Sequence, residues 1–453
     1  MINELNFKDL GIELEPFKGG PDEYDPKTML KIIVYGYANS QRASRKLELA
    51  CHRDISFIWL TGGLAPDYRT IARFRKDNLE AIRQVLRQIV RLCIKWDLIE
   101  GNALFIDSTA MEANASTRKT FTPESCPERL AKLDAYIDKL LKETDQLDKE
   151  QQDQASLVKV NEELLDLQKI RADIQAVKKE LEEKSLTELN TTDPDCVKVK
   201  TAGRLRAGYK AQTATDGKHG LIVNTDVLAS STDANKLSGQ IDSAADVLGH
   251  APEVVASDSG YCSAPDVAKI DAATTVVMPT QQQIDKERCD QQDPSLKAFA
   301  KEAFVYDAAN DTYTCPAKEK LVFKFSSTDA AGNSVKNYRT QERGVCQQCP
   351  HFGVCTKDER QGRKITRGEF EYIREQLKST YESPLGQDIY QKRKIFCELP
   401  FAHIKHNGGI RRFLLRGLAG VNAEFALLAA GYNITRMITI LGVMGIFAKI
   451  QTV

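Results

Sequence analysis

Between residues 127 and 190, apolar side chains recur at near-heptad spacing. The series runs through Leu130, Leu133, Ile137, Leu140 and Leu147, and resumes at Leu157, Val160, Leu164, Leu167, Ile174 and Leu181 after a polar break at residues 151–156. Two long helices folded back on each other as an antiparallel hairpin satisfy this pattern. The core is then expected to be discontinuous, with one piece before the hairpin and the rest after it. We expect the hairpin to act as a spacer or protein contact that carries no chemistry.

The flanks divide by their periodicity. Residues 1–98 read as helical. Tyr24-Asp25-Pro26 opens a helix with proline in its first turn, and Pro66-Asp67 caps a long helix whose stripe runs through Ile71, Phe74, Leu79, Ile82, Leu86, Ile89 and Cys93. Arg69, Arg73, Arg75 and Lys76 ride on that helix, as in a helix-turn-helix reader of DNA; a bundle with a solvated basic face is the plainer alternative. Trp59 and Trp96 lie in helical apolar patterns and read as core. Ala103 to Ile106 reads as a buried strand ending in Asp107. Tyr209–Thr215 and Leu221–Val227 flank the turn Asp216-Gly217 as a β-hairpin. Val254–Ser257 and Thr274–Met278 read as further short strands, the first ending in Asp258. Residues 368–453 return to helix.

With 42% hydrophobic and 28% charged residues, wholesale disorder is excluded. The 63 basic and 63 acidic residues cancel, which argues against a non-specific nucleic-acid coat but not against local patches. Acids outnumber bases by about five over residues 127–190, and bases outnumber acids by about seven over 339–416. No signal peptide or membrane span is expected: Asn3, Glu4 and Asn6 precede any apolar run, and Asn433, Arg436 and Lys449 break the stretch Phe425–Ile450. Eleven scattered cysteines suit a reducing, cytoplasmic setting.

Three groups of residues carry potential chemistry. Asp107 and Asp258 each follow an apolar strand, where a carboxylate is held rigidly at a sheet rim. Strand-rim acids joined by one from a helix suit two Mg²⁺ ions roughly 3.5–4 Å apart; such acids also serve as turn formers. The helical acid is Glu398, in the series Tyr390, Arg393, Lys394, Glu398, Lys405. Pro400 should kink or restart that helix, and Lys405 lies two turns beyond Glu398 if the helix continues. Second, Cys315, Cys346-x2-Cys349 and Cys355 suit tetrahedral Zn²⁺, with His351 as a substitute ligand and buried free thiols as the alternative. Residues 321–325 alternate and Gly332-Asn333 offers a turn, so a ribbon-like hairpin is expected here. Third, Lys405, Arg411, Arg412 and Arg416 form a basic tail suited to phosphates.

Together these residues resemble the DDE transposases of bacterial insertion sequences. Phe-Ile-Asp-Ser-Thr at Asp107, Ser-Asp-Ser-Gly-Tyr at Asp258, and Tyr390, Arg393, Glu398 and Lys405 fall in the order of the branch with a Tyr-Arg-Glu-Lys signature. Tyr35-Gly36-Tyr37, Ser44 to Glu48, Pro66 to Arg75, Tyr209 to Gln212 and Thr232-Asp233 are similar as well. One departure is the interval between Arg393 and Glu398, a residue longer than usual, which places Lys394 on the face of Glu398 on an ideal helix.

The resemblance implies an α/β fold: an RNase H-like core of mixed sheet flanked by helices. It divides the chain into an all-helical DNA-binding domain (1–98), core segments (99–126, 191–303 and 366–453), the helical hairpin (127–190) and a cysteine-rich, zinc-ribbon-like insert (304–365). It also implies catalysis at Asp107, Asp258 and Glu398 with Mg²⁺ or Mn²⁺, and structural Zn²⁺ on the four cysteines. Tyr390, Arg393, Lys394, Lys405, Arg411 and Arg412 are expected on DNA. The expected partners are terminal inverted repeats, target DNA and a second copy in a synaptic dimer, in a bacterial cytoplasm at the nucleoid. The expected activity is cut-and-paste transposition; a nuclease that cuts without rejoining, or a domesticated DNA-binding protein, is the alternative.

Overall fold

The computed structural model describes residues 2–12, 24–149, 154–280, 283, 298–328, 332, 334–342 and 344–451. The chain is a mixed α/β protein of two compact units. The first comprises 1–233, 242–251 and 395–453; the second comprises 234–241 and 252–394.

Five helices open the first unit: α1 (Pro26–Ala38), α2 (Ser44–Arg53), α3 (Ile55–Thr61), α4 (Tyr68–Asp77) and α5 (Leu79–Lys95). The caps fall where expected. Asp25 accepts from the amides of Lys27 and Thr28 at 3.1 and 3.2 Å, and Asp67 accepts from Thr70 N at 2.7 Å. Arg75 leaves the basic face expected of α4. It is buried, and its guanidinium donates to the Tyr37 hydroxyl, the Arg42 carbonyl and the Ser44 hydroxyl. Trp96 is core as expected, but Trp59 is 82% exposed beside exposed Ile55 and Ile58. Helix α3 is only two turns long and buries Phe57 and Thr61, which leaves the Trp59 side without a partner element.

β1 (Ala103–Glu112) follows, then β2 (Thr120–Phe121), α6 (Ser125–Lys149), α7 (Gln154–Glu183) and β3 (Leu189–Asn190). The contacts Asp134–Arg171 at 2.7 Å and Tyr136–Glu163 at 2.9 Å set α6 and α7 antiparallel, as the leucine spacing requires. The root of the pair has its own small core of Phe121, Cys126, Ile174, Leu181 and Leu189, with Leu130 and Leu133 against it. The break between the helices lies largely outside the described residues.

β4 (Val197–Thr201), β5 (Arg204–Asp216) and β6 (Ile222–Leu228) complete this unit's sheet. β4 turns into β5 through Ala202 and Gly203 at φ +47° and +76°, a two-residue turn of the primed kind. One edge of β5 pairs with β4 and then β6, and the other pairs with β1, all antiparallel.

Three elements come next: α8 (Leu237–Leu248), whose residues divide between the units, then β7 (Val254–Ser257) and α9 (Ala264–Val267). β8 (Thr275–Val277) pairs parallel with β7. β9 (Val305–Asp307), β10 (Thr312–Thr314), β11 (Lys320–Thr328), β12 (Ser334–Thr340) and β13 (Ile365–Gly368) form an antiparallel sheet in the order 13-12-11-10-9. The hairpin expected around residues 321–325 is β11–β12; Asn333 of its turn lies outside the described residues. Phe304, Tyr313, Leu321, Tyr338 and Ile365 are its core. Asp311 accepts from Tyr338 at 2.6 Å, Tyr306 at 2.7 Å and Lys336 at 2.9 Å. These donors pull its carboxyl down to about 2, the Tyr338 hydroxyl contributing most.

The chain ends in α10 (Glu371–Glu382), α11 (Pro384–Ala402) and α12 (Leu418–Gln451). Among the described residues α12 alone is long and apolar enough to cross a membrane. Its first half is buried within the first unit, against α1, α5 and β6. Helices α1 and α12 approach so closely that a Cβ on Gly431 would meet Ala38 Cα at 2.9 Å. A buried ion pair, Arg42–Glu424 at 2.6 Å, ties the N-terminal helices to α12. The same Glu424 carboxylate accepts from the amides of Leu414 and Leu415 at 2.8 and 2.9 Å.

Candidate functional site

Asp107 does not end its strand. β1 runs five residues past it, because Ser108-Thr109-Ala110-Met111-Glu112 pairs in register with Gly208–Gln212 of β5. Polarity there reads as loop, yet threonine suits a pleated edge, and the antiparallel partner supplies the ladder. Asp107 sits opposite Thr213, half-buried, and accepts from Ser108 N at 2.7 Å.

Alternate residues of a strand share a face, so Phe105, Asp107 and Thr109 point the same way. Phe105 stacks on Phe396 of α11, with ring centroids 4.8 Å apart. Lys405 donates to the Thr109 hydroxyl and, at 2.8 Å, to the Ala110 carbonyl. The segment around Glu398 is thereby fastened to β1 on both sides of Asp107.

α11 does not restart at Pro400. It continues to Ala402 and passes into a π-helical turn over His403–Asn407, which carries Lys405. Cys397, Pro400 and Ile404 face inward, while Glu398 is solvent-exposed on the side of Lys394 and Ala402. Lys405 is half-buried; desolvation first, and the charge of Arg411 second, lower its affinity for a proton. The contacts at the far end of β1 are equally direct: Glu112 N donates to Arg411 O at 3.0 Å and Phe413 N to Glu112 O at 2.9 Å. Arg412 closes this end by pairing with the Glu112 carboxylate.

In the second unit, Asp258 follows β7 at once, as expected, and caps a short 3-10 turn by accepting from Gly260 N at 2.9 Å. Arg393, only 13% exposed at its side chain, brings its guanidinium to 3.8 Å from the Asp258 carboxylate. That guanidinium also lies over the Tyr390 ring, and Tyr390 packs edge-on to Tyr381. Arg393 therefore faces a candidate acid, whereas Lys394 faces solvent. Lys394 shares the side of Glu398, as the ideal-helix argument expects, while Arg393 reaches the end of β7.

Asp233 carried no role in the sequence reading beyond the resemblance. It is buried, paired with Lys210, and 3.3 Å from Gln212 Nε2. Gln212 stands opposite Ser108, so this cluster occupies the sheet face away from Asp107. A buried acid two residues after a Ser-Ser pair has no distinctive spacing, which is why only its partners reveal it.

Cys315, Cys346, Cys349 and Cys355 line one small cavity of about 30 Å³ with His351 and Phe304. Cys315 accepts from Glu319 N at 3.3 Å and Cys346 from Arg363 N at 3.4 Å. Burial pushes the Cys355 thiol up. Among the described residues, no three His, Cys, Asp or Glu side chains are arranged to hold a metal ion. The donor chemistry of the cysteine cavity suits zinc; its present geometry does not complete a ligand set.

What the fold and these side chains define is a mixed α/β protein that sets acids on strands and a helix beside lysine and arginine. Two family models place it further: a transposase DDE domain matches residues 314–438, and a second transposase domain matches residues 4–77. The chain thus carries the domains of an insertion-sequence DDE transposase. The DDE match contains the four cysteines, Glu398, Lys405, Arg411 and Arg412; Asp107 and Asp258 lie outside both matches. A comparison with curated proteins finds no significant match.

Proposed function

We propose that the protein cleaves the ends of an insertion sequence and joins them to target DNA, a cut-and-paste transposition carried out on an RNase H-like core. One observation carries this reading. Phe396 and Lys405, inside the matched DDE segment, are fastened to β1 on either side of Asp107, which lies nearly three hundred residues earlier; the Lys405–Thr109 separation is 296.

Asp107, Asp258 and Glu398 are the proposed ligands for Mg²⁺ or Mn²⁺. Carboxylate oxygens are the donors such an ion prefers; the described side chains form no ready cluster of three, so binding would have to draw them together. When bound, the metal would activate water or a DNA 3′-hydroxyl and stabilise the leaving oxygen. The chain's own groups have separate tasks. The β1 ladder holds Asp107 in a fixed direction. Arg393 balances the Asp258 carboxylate, and Tyr390 supports Arg393 by lying under its guanidinium. Lys405 clamps α11's continuation to β1, and its remaining N–H is the donor for a DNA phosphate. The four cysteines take structural Zn²⁺ in this reading. Residues 1–98 take part in DNA binding, and a second copy completes the synaptic complex in the bacterial cytoplasm.

Asp107→Asn tests the proposal. It should abolish Mg²⁺-dependent cleavage of DNA while leaving DNA affinity within about twofold, because the carboxylate holds the ion and not the duplex. Undiminished cleavage would remove Asp107 from the site. Cutting by the wild-type chain without joining of the cut 3′ end would make it a nuclease.

A further inference from the structure

Five cations converge on a cleft in the first unit, and three of them, Arg118, Lys119 and Arg206, have no role above. Arg118 and Lys119 come from the 3-10 turn after β1, Arg206 from β5, and Arg412 and Arg416 from the segment before α12. The cleft has a volume of about 500 Å³, and all five side chains are exposed. Glu112 is its one acid and already pairs with Arg412. Arg416 donates from Nε to the Asn114 carbonyl at 3.0 Å, which leaves its charge uncompensated. Arg118, Lys119 and Arg206 have no carboxylate partner among the described residues. A neutral protein that gathers this much unpaired charge in one concavity raises the local concentration of anions there. Four of the five are arginines, whose planar fork suits phosphate oxygens.

The position of the cleft decides which anion. Glu112 lies five residues beyond Asp107 on the same strand, about 17 Å along it at roughly 3.3 Å per residue. A duplex rises about 3.4 Å per base pair. Glu112 alternates to the face of β1 opposite Asp107, so a DNA end at Asp107 would meet the cleft where its backbone passes the end of the strand, about five base-pair steps from the reacting phosphate. Lys405 lies between the two, on Thr109 and Ala110.

We propose that this cleft is a second DNA-backbone site, which grips phosphates flanking the cut and fixes the direction in which the end enters. The proposal rests on the transposase reading, but its test does not depend on cleavage. The probe is a 30-base-pair duplex of arbitrary sequence, titrated without divalent metal over a range of salt concentrations. In the full-length chain, Arg118→Gln, Lys119→Gln and Arg206→Gln together should weaken binding at least about tenfold at 0.1 M salt. The slope of log affinity against log salt should fall by close to three units, about one per lost phosphate contact. The three side chains are exposed, so the melting temperature should not change; if it does, the single exchanges should each lower the slope by about one.

Unaltered affinity and slope in the folded triple variant would overturn the cleft assignment and leave the transposase reading intact. A wild-type chain that does not bind duplex DNA would overturn both. Intact DNA binding with lost self-association would also overturn the proposal, and would assign the cleft to the acidic α6–α7 pair of a second copy.

Discussion

Replacing Glu424 with alanine should loosen the joint between the N-terminal helices and the basic segment before α12. The carboxylate is fully buried and serves three donors: Arg42, and the amides of Leu414 and Leu415. Removing one member of a buried ion pair costs about 3–5 kcal/mol, because the remaining charge stays desolvated. Here Arg42 keeps only the Arg412 carbonyl, at 3.1 Å, as an acceptor among the described residues. The two amides would lose their acceptor as well, at roughly 1–3 kcal/mol each if water cannot reach them. These terms overlap, so we expect a total near 4 kcal/mol. At about 2 °C per kcal/mol for a unit of this size, the melting temperature should fall by roughly 8 °C. Hydrogen exchange supplies the local readout: Leu414 and Leu415 amides should lose protection while those of β5 keep theirs. Replacing Arg42 and Glu424 together with methionine should recover the ion-pair term but not the amide term, leaving a loss of about 2 kcal/mol. If Glu424→Ala melts within 2 °C of wild type, or both amides stay protected, the ascribed role is wrong.

Other consequences can be measured directly. Arg393→Ala should reduce cleavage more than Lys394→Ala, because Arg393 faces Asp258 and Lys394 faces solvent; the reverse order would mean the ideal-helix count was right after all. Lys405→Ala should weaken binding to terminal-repeat and unrelated duplexes by similar factors, with the salt slope reduced by about one unit; lost discrimination between them would make Lys405 a base reader. Protein purified without chelator should contain about one zinc per chain on the four cysteines, by elemental analysis; its absence would leave four half-buried free thiols. Asp311 has a lowered carboxyl pKa, near 2, so its contribution is present above the unfolded value near 3.9 and is lost as pH falls toward 2. Asp311→Asn should therefore flatten the acid limb of the stability curve of the β9–β13 sheet; an unchanged limb between pH 4 and 2 would exclude this carboxylate as its source.

Periodic features were legible before the fold was known. The leucine spacing of α6 and α7, the β5–β6 hairpin at Asp216-Gly217 and the strand before Asp258 all follow from patterns confined to one or two elements. Errors arose where a distant residue decides. Ser108-Thr109 looks like the end of a strand until β5 is placed beside it. Arg75 looks solvated until Tyr37, the Arg42 carbonyl and Ser44 gather its N–H groups. Position on the helix says nothing of the contact between Arg393 and Asp258 at the end of β7. The π-helical turn after Pro400 is similar: proline announces a disturbance, but the tether of Lys405 to β1 is a tertiary contact that no local spacing contains.

The contact of α1 and α5 with α12 bears on synthesis. Cys93 of α5 touches Met437 of α12 at 3.5 Å, across 344 residues of chain. The N-terminal helices emerge first from the ribosome, yet the surface that covers their apolar stripe is translated last. Until α12 arrives, Cys93 and the stripe of α5 have no complete place to be buried, and the loop to be closed spans 344 of the 453 residues. A nascent chain released early would expose that stripe and become a target for chaperones or proteases. Synthesis of α12 thus gates the assembly of the first unit, and fragments ending before it should be selected against by quality control.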